Sequence, residues 1–235
     1  LPWGLGEAAA AVLRVLGPGG CMGLEELAER LYTRPQRLRQ LLEKLAGLEV
    51  TGGGVVCLRD PVEAAASAAR LGASEAVVAR GLDWRMFEEY AARALREAGM
   101  EAWRGLRRPG AGGFELDVLG LDPVSATGVA IDCKHWSPRL TAPSRLRAAA
   151  ERHRRRLRLL AESWRELGLP EPPGKGRRWL LVPALLVLRE AVPRLVDGVY
   201  VVPASRLRGF LEELPVLADE PAAATVYAPS RSSSG

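Results

Sequence analysis

Apolar positions return along this chain in two rhythms, and where the rhythm changes the elements change. From Glu7 to Leu16, Leu24 to Leu31 and Pro35 to Leu45 they recur every third or fourth residue, which predicts three amphipathic helices. Gly17-Pro-Gly-Gly ends the first, and Thr33 offers an N-cap just ahead of Pro35 for the third. Leu48-Glu-Val-Thr, three glycines and Val55-Val-Cys-Leu then read as two short strands around a turn. Asp60-Pro opens an alanine-rich linking helix that reaches Gly72. A longer helix follows through Phe87 to Gly99, with Trp84, Phe87, Ala91, Ala94, Leu95 and Ala98 as its buried stripe.

The second half adds two β-prone runs, Phe114 to Leu121 and Gly128 to Trp136, joined by the turn composition Asp122-Pro-Val-Ser-Ala-Thr. They predict an antiparallel hairpin. Ser144 to Leu167 reads as one long helix with Leu146, Ala150, His153, Leu157, Leu160 and Trp164 on its buried stripe, so His153 is expected as a hydrogen-bonded core residue. Trp179 to Leu188 and Gly198 to Val202 are further core strands, and Ser205 caps a closing helix to Leu214. Pro221 to Gly235 reads as a loose tail.

Composition narrows the class. The 235 residues are 48% hydrophobic, enough to fill a real core, which excludes a disordered or fibrous chain. No apolar run approaches the eighteen residues of a membrane span, and no signal peptide is visible, so the expectation is a soluble, cytoplasmic protein without a membrane partner. The net charge of +5 is unevenly placed: residues 1–75 are nearly neutral, whereas residues 135–178 carry twelve basic side chains against four acidic ones. A polyanion footprint therefore belongs to the second half, the alternative being a solvated helix face.

Three helices followed by a glycine-turned hairpin resemble the winged helix-turn-helix family over about residues 5–60. The resemblance implies a third helix in the DNA major groove, presenting Arg34, Arg37, Arg39 and Lys44, or else a protein-protein module. It also implies a short strand at Cys21 pairing with the wing strand that carries Cys57. Those two cysteines are then close, either reduced or bridged.

The chemistry lies in the 114–136 hairpin. With Leu121 facing Gly128, Asp117 falls opposite Asp132 and Glu115 opposite Lys134, while Leu116, Val118, Val129, Ile131 and Cys133 line the other, apolar face. Two acids paired across a ladder repel, and a hard cation between them turns repulsion into coordination. Lys134, two residues past Asp132, shares their face.

Asp followed by a strand bearing Asp-x-Lys resembles the PD-(D/E)xK nuclease superfamily, closest to its Mrr-like and archaeal Holliday-junction resolvase-like branches, over about residues 80–215. Leu116 stands where the motif's proline would be, and the acid before x-Lys, Asp132, is aspartate rather than glutamate. The likeness implies an α/β fold, a restriction endonuclease-like mixed sheet flanked by helices, preceded here by the small winged-helix domain. The implied division is 1–60 winged helix, 61–80 linker helix, 81–216 nuclease and 217–235 tail. It further implies that Glu88, on the helical stripe, joins Asp117, Asp132 and the backbone carbonyl of Cys133 in holding Mg²⁺ or Mn²⁺, with Lys134 orienting water or neutralising phosphate charge. Glu88 as a structural ion pair, and Glu115 as the salt-bridge partner of Lys134, are the bland alternatives. Arg145, Arg152, Arg155 and Arg156 on the long helix are expected to reach DNA phosphates. The function expected is metal-dependent endonucleolytic hydrolysis of DNA, with a homodimer as one arrangement for cutting both strands. The rival reading is a DNA-binding regulator that retains the fold without cutting.

Overall fold

The computed structural model describes residues 4–78, 82–110, 112–134, 143–173, 178–188, 192–219 and 226–227. The first elements follow the expected order: α1 (Leu5–Leu16), β1 (Cys21–Gly23), α2 (Leu24–Arg30), α3 (Pro35–Leu42), β2 (Leu48–Val50) and β3 (Val55–Leu58). The strands form an antiparallel sheet in the order β1-β3-β2, with Cys21 facing Cys57. Their Cα atoms are 4.1 Å apart and a disulfide joins them.

Two details depart from expectation. The third helix stops at Leu42, so Lys44 lies in the turn beyond it; its N-cap is Arg34, without a side-chain bond, rather than Thr33. The alanine-rich segment expected as a linking helix forms α4 (Pro61–Arg70). Asp60 caps it by accepting from the Val62 and Glu63 N–H groups, and Val62, Ala64, Ala65, Ala66, Ser67 and Ala68 are all buried. It packs on α1 on one side and on later elements on the other, and one apolar cluster runs from Ala8 to Ala218 through it.

After α5 (Glu75–Val78) come α6 (Trp84–Glu97), β4 (Glu101–Arg108), β5 (Phe114–Asp122), β6 (Thr127–Cys133), α7 (Pro143–Glu162), β7 (Leu180–Val187), β8 (Leu195–Val196), β9 (Val199–Pro203), a 3-10 turn at Ala204–Arg206, α8 (Leu207–Asp219) and β10 (Val226–Tyr227). The result is an α/β fold with a mixed sheet flanked by helices. The strand order is β4-β5-β6-β7-β9-β8, with β10 pairing the start of β7. β4, β5 and β6 run antiparallel, whereas β6, β7 and β9 are parallel. Parallel neighbours need a crossover, and α7 supplies it between β6 and β7. α6 and α8 pack with Val118, Val129, Ile131 and Cys133; α7 packs with Leu119, Leu121 and Ala130.

The β5–β6 register is the expected one, with Leu121 opposite Gly128, and the ladder runs as far as Val118 opposite Ile131. Leu116 does not share the Val118 face: it joins Phe114, Leu119 and Leu121 in the α7-side cluster. The strand turns over at Asp117, where the β4–β5 ladder skips one pair and Gly105, at φ +60°, makes the bend on the β4 side. Trp84 and Ala98 are exposed rather than on the buried face of α6; the Arg85 guanidinium lies 5.1 Å from the centre of the Trp84 ring. α8 runs past Leu214, through Pro215, and buries Leu217 and Ala218. Of the expected tail only Val226 and Tyr227 belong to the described residues. Among those residues no helix is long and apolar enough to cross a membrane.

Candidate active site

Asp117 and Asp132 come together where β5 and β6 stop pairing. The ladder ends one step short of them, and the Asp117 carboxylate fills the gap, its Oδ2 accepting the Cys133 N–H at 2.7 Å. Asp132 is 2% exposed. Its Oδ1 accepts from Arg156 Nη1 at 2.8 Å, and its Oδ2 is ion-paired with Lys134. Lys134 is held in turn by its own N–H, which donates to the Leu186 carbonyl at 2.9 Å and extends the β6–β7 pairing by one residue.

The two acids differ in electrostatic state. Burial pushes Asp117 up, and the neighbouring Asp132 charge pushes further; the Cys133 N–H bond and Lys134 oppose them, leaving it at about 7. Burial also opposes ionisation of Asp132, but His153, Lys134 and Arg156 outweigh it and hold that carboxyl below the usual range. Burial holds the His153 imidazole below its ordinary value, against the pull of the Asp132 charge and the Ala130 carbonyl. His153 is fully buried and hydrogen-bonds the Ala130 carbonyl through Nε2 at 2.9 Å, the core role expected of it, yet it stands beside the site.

Glu88 reaches the same region from α6. It is 9% exposed and raised by burial, with Arg104 the chief opposing charge, and its field is felt at Asp117. Among the described residues no three His, Cys, Asp or Glu side chains are gathered closely enough to hold an ion between them. Glu115 is not the partner of Lys134: it takes two bonds from Arg107, its cross-strand neighbour on β4, at 2.9 and 2.6 Å. Once β5 turns over at Asp117, that side chain is drawn to the β4 edge.

The expected nucleic-acid contacts are dispersed. Arg34, Arg37, Arg39 and Lys44 are exposed around α3, and Arg145, Arg152 and Arg155 are exposed along α7. Arg156 belongs with Asp132 instead. The signal for it was in the sequence: it follows the buried-stripe residue His153 by three positions, at the edge of the packed face.

Residues 79–156 match the family model of a restriction endonuclease domain, Mrr_cat, and the mixed sheet flanked by helices is consistent with a restriction endonuclease-like fold. Two solved structures are similar to the chain. One is Can2 from Sulfobacillus thermosulfidooxidans, solved in complex with cyclic tetra-adenylate, at 13% identity and a TM-score of 0.33, covering 90% of this chain and 51% of that one. The other is protein VC1899 from Vibrio cholerae, at 11% identity and 0.30, covering 93% and 50%. The chain thus spans about half the length of each. No curated protein matches it in sequence.

Proposed function

We propose that this chain hydrolyses phosphodiester bonds in DNA with a divalent cation, Mg²⁺ or Mn²⁺, held at Asp117 and Asp132. The observation that carries this reading is the pairing of the buried Asp132 with the half-buried Asp117 beside Lys134, with Asp117 forced up to about 7 by desolvation and by its neighbour's charge. The donors suit the ion: Mg²⁺ takes one or two carboxylates and completes its shell with water and substrate phosphate oxygens, so a third acidic ligand is not required. The carbonyl of Cys133 is a further oxygen at the same strand end, and Glu88 adds negative charge from α6. Bound there, the ion would polarise the phosphate and lower the pKa of a water.

The remaining work falls to the chain. Arg156 keeps Asp132 ionised and oriented; Lys134 brings a positive charge beside the position a phosphate would take and neutralises charge that grows in the transition state. Residues 1–60 act as a winged helix-turn-helix, with Arg34, Arg37 and Arg39 toward phosphates, and Arg145, Arg152 and Arg155 of α7 extend the grip within the 81–216 nuclease domain.

The test is single-turnover cleavage of duplex, flap and junction DNA with Mg²⁺ or Mn²⁺, beside calorimetric metal binding. Lys134→Met should lose most of the cleavage rate while binding metal within a few-fold of the parent. Cutting at the parental rate would refute the assignment. A second reading, DNA binding without cleavage, is favoured by one observation: both Asp132 oxygens are already taken by Lys134 and Arg156. Its signature is salt-dependent binding with no cutting of any DNA form.

A further inference from the structure

Tyr32 occupies a position that the fold itself disfavours. α2 closes with two backbone bonds, Thr33 N–H to the Ala28 carbonyl at 2.9 Å and Tyr32 N–H to the Glu29 carbonyl at 3.0 Å, which places Tyr32 at the left-handed residue of the helix end. Its φ is +49°, a conformation that glycine adopts freely and a residue with a Cβ does not. Tyr32 is 90% exposed, so burial returns nothing for the strain. Its neighbours in sequence are Arg34, Gln36, Arg37, Arg39 and Gln40, all exposed. Among the described residues none of the three arginines has an ion-pair partner.

We propose that Tyr32 is a stacking platform for an unpaired nucleobase, with Arg34 and Arg37 holding the adjoining phosphates. This rests on the DNA-directed reading of the first sixty residues. The exposed ring is flanked in sequence by cations and amides with no exposed apolar side chain among them, a setting in which bases stack on a ring while arginines track the backbone. Bases inside a duplex already have both faces covered. The ligand is therefore a single-stranded tail, flap or loop next to duplex.

The experiment measures the affinity of the full chain, in EDTA and at one salt concentration, for a blunt duplex and for the same duplex with a single-stranded tail. Tyr32→Gly should raise the melting temperature, because glycine relieves the left-handed strain, and should weaken binding of the tailed DNA about tenfold, or ~1.4 kcal/mol, leaving the blunt duplex unchanged. Tyr32→Trp should keep the tailed affinity. A purely structural tyrosine would give the reverse pairing, lower stability with unaltered preference. Parental affinity of Tyr32→Gly for tailed DNA, or equal loss for both DNAs, overturns the proposal. If Arg34→Ala and Arg37→Ala also bind both DNAs as the parent does, the surface belongs to a protein partner and the proposal again falls. Cleavage by the parent in Mg²⁺ or Mn²⁺ is scored separately, so the nuclease reading can stand while this one fails.

Discussion

Replacing Asp117 by asparagine should stabilise the protein when no metal is present. Asparagine keeps an oxygen for the Cys133 N–H and discards a charge that burial disfavours and Asp132 repels. Moving the carboxyl from its ordinary 3.8 to about 7 corresponds, at about 1.36 kcal/mol per unit, to roughly 4 kcal/mol. Relaxation and remaining solvent contact reduce this to about 2 kcal/mol, or roughly 4–8 °C in melting temperature for a chain of this size. The sign follows from proton uptake: between about pH 4 and 7 folded Asp117 holds a proton that the unfolded chain has released. Its penalty therefore grows as pH rises through that window and is complete above it. The gain from asparagine should be largest at pH 8 and nearly absent at pH 4. Thermal unfolding of parent and variant in EDTA at both pH values measures it, and Mn²⁺ should narrow the gap at pH 8 by stabilising only the parent. A less stable variant at pH 8, or a gain of equal size at both pH values, would refute the repulsion argument.

Arg156→Ala removes one of two cations from a buried carboxylate and should cost about 2–4 kcal/mol in EDTA, while tightening divalent-cation binding because Asp132 Oδ1 is released; unchanged melting and unchanged metal affinity would detach Arg156 from the site. Cys57→Ser opens a bridge between cysteines 36 residues apart in sequence, for which chain entropy gives about 3–4 kcal/mol; melting curves that coincide with and without reductant in the parent would show that the bridge does not form.

Much of this molecule was legible because its signals are local. The β5–β6 register follows from one short turn and two β-prone runs, and it brought Asp117 to Asp132 without any tertiary information. The placement of Leu116 and Glu115 was not legible, because strict alternation assumes an unbroken ladder. The reversal at Asp117 depends on Gly105 in β4, a strand whose mixed arginine-rich composition gives little alternation of its own. Arg156 was misread for a related reason: seven arginines crowd α7, and composition treats them alike, while the packed face of the helix takes only one of them to Asp132. The burial of α4 was not legible because alanine is ambiguous, equally at home on an exposed helix and between two close-packed layers.

That close packing has a mechanical consequence. A helix of alanines lets the helices on either side approach almost backbone to backbone, and such a seam has no slack: it behaves as a bearing pressed between two plates. α4 touches both α1 and the 3-10 turn at Ala204–Arg206, whose Ala204 carbonyl is hydrogen-bonded by Tyr90 of α6, two residues beyond Glu88. A bulky residue at Ala64 or Ala65 would act as a shim there, prising the first sixty residues away from the sheet and shifting α6 under the aspartates.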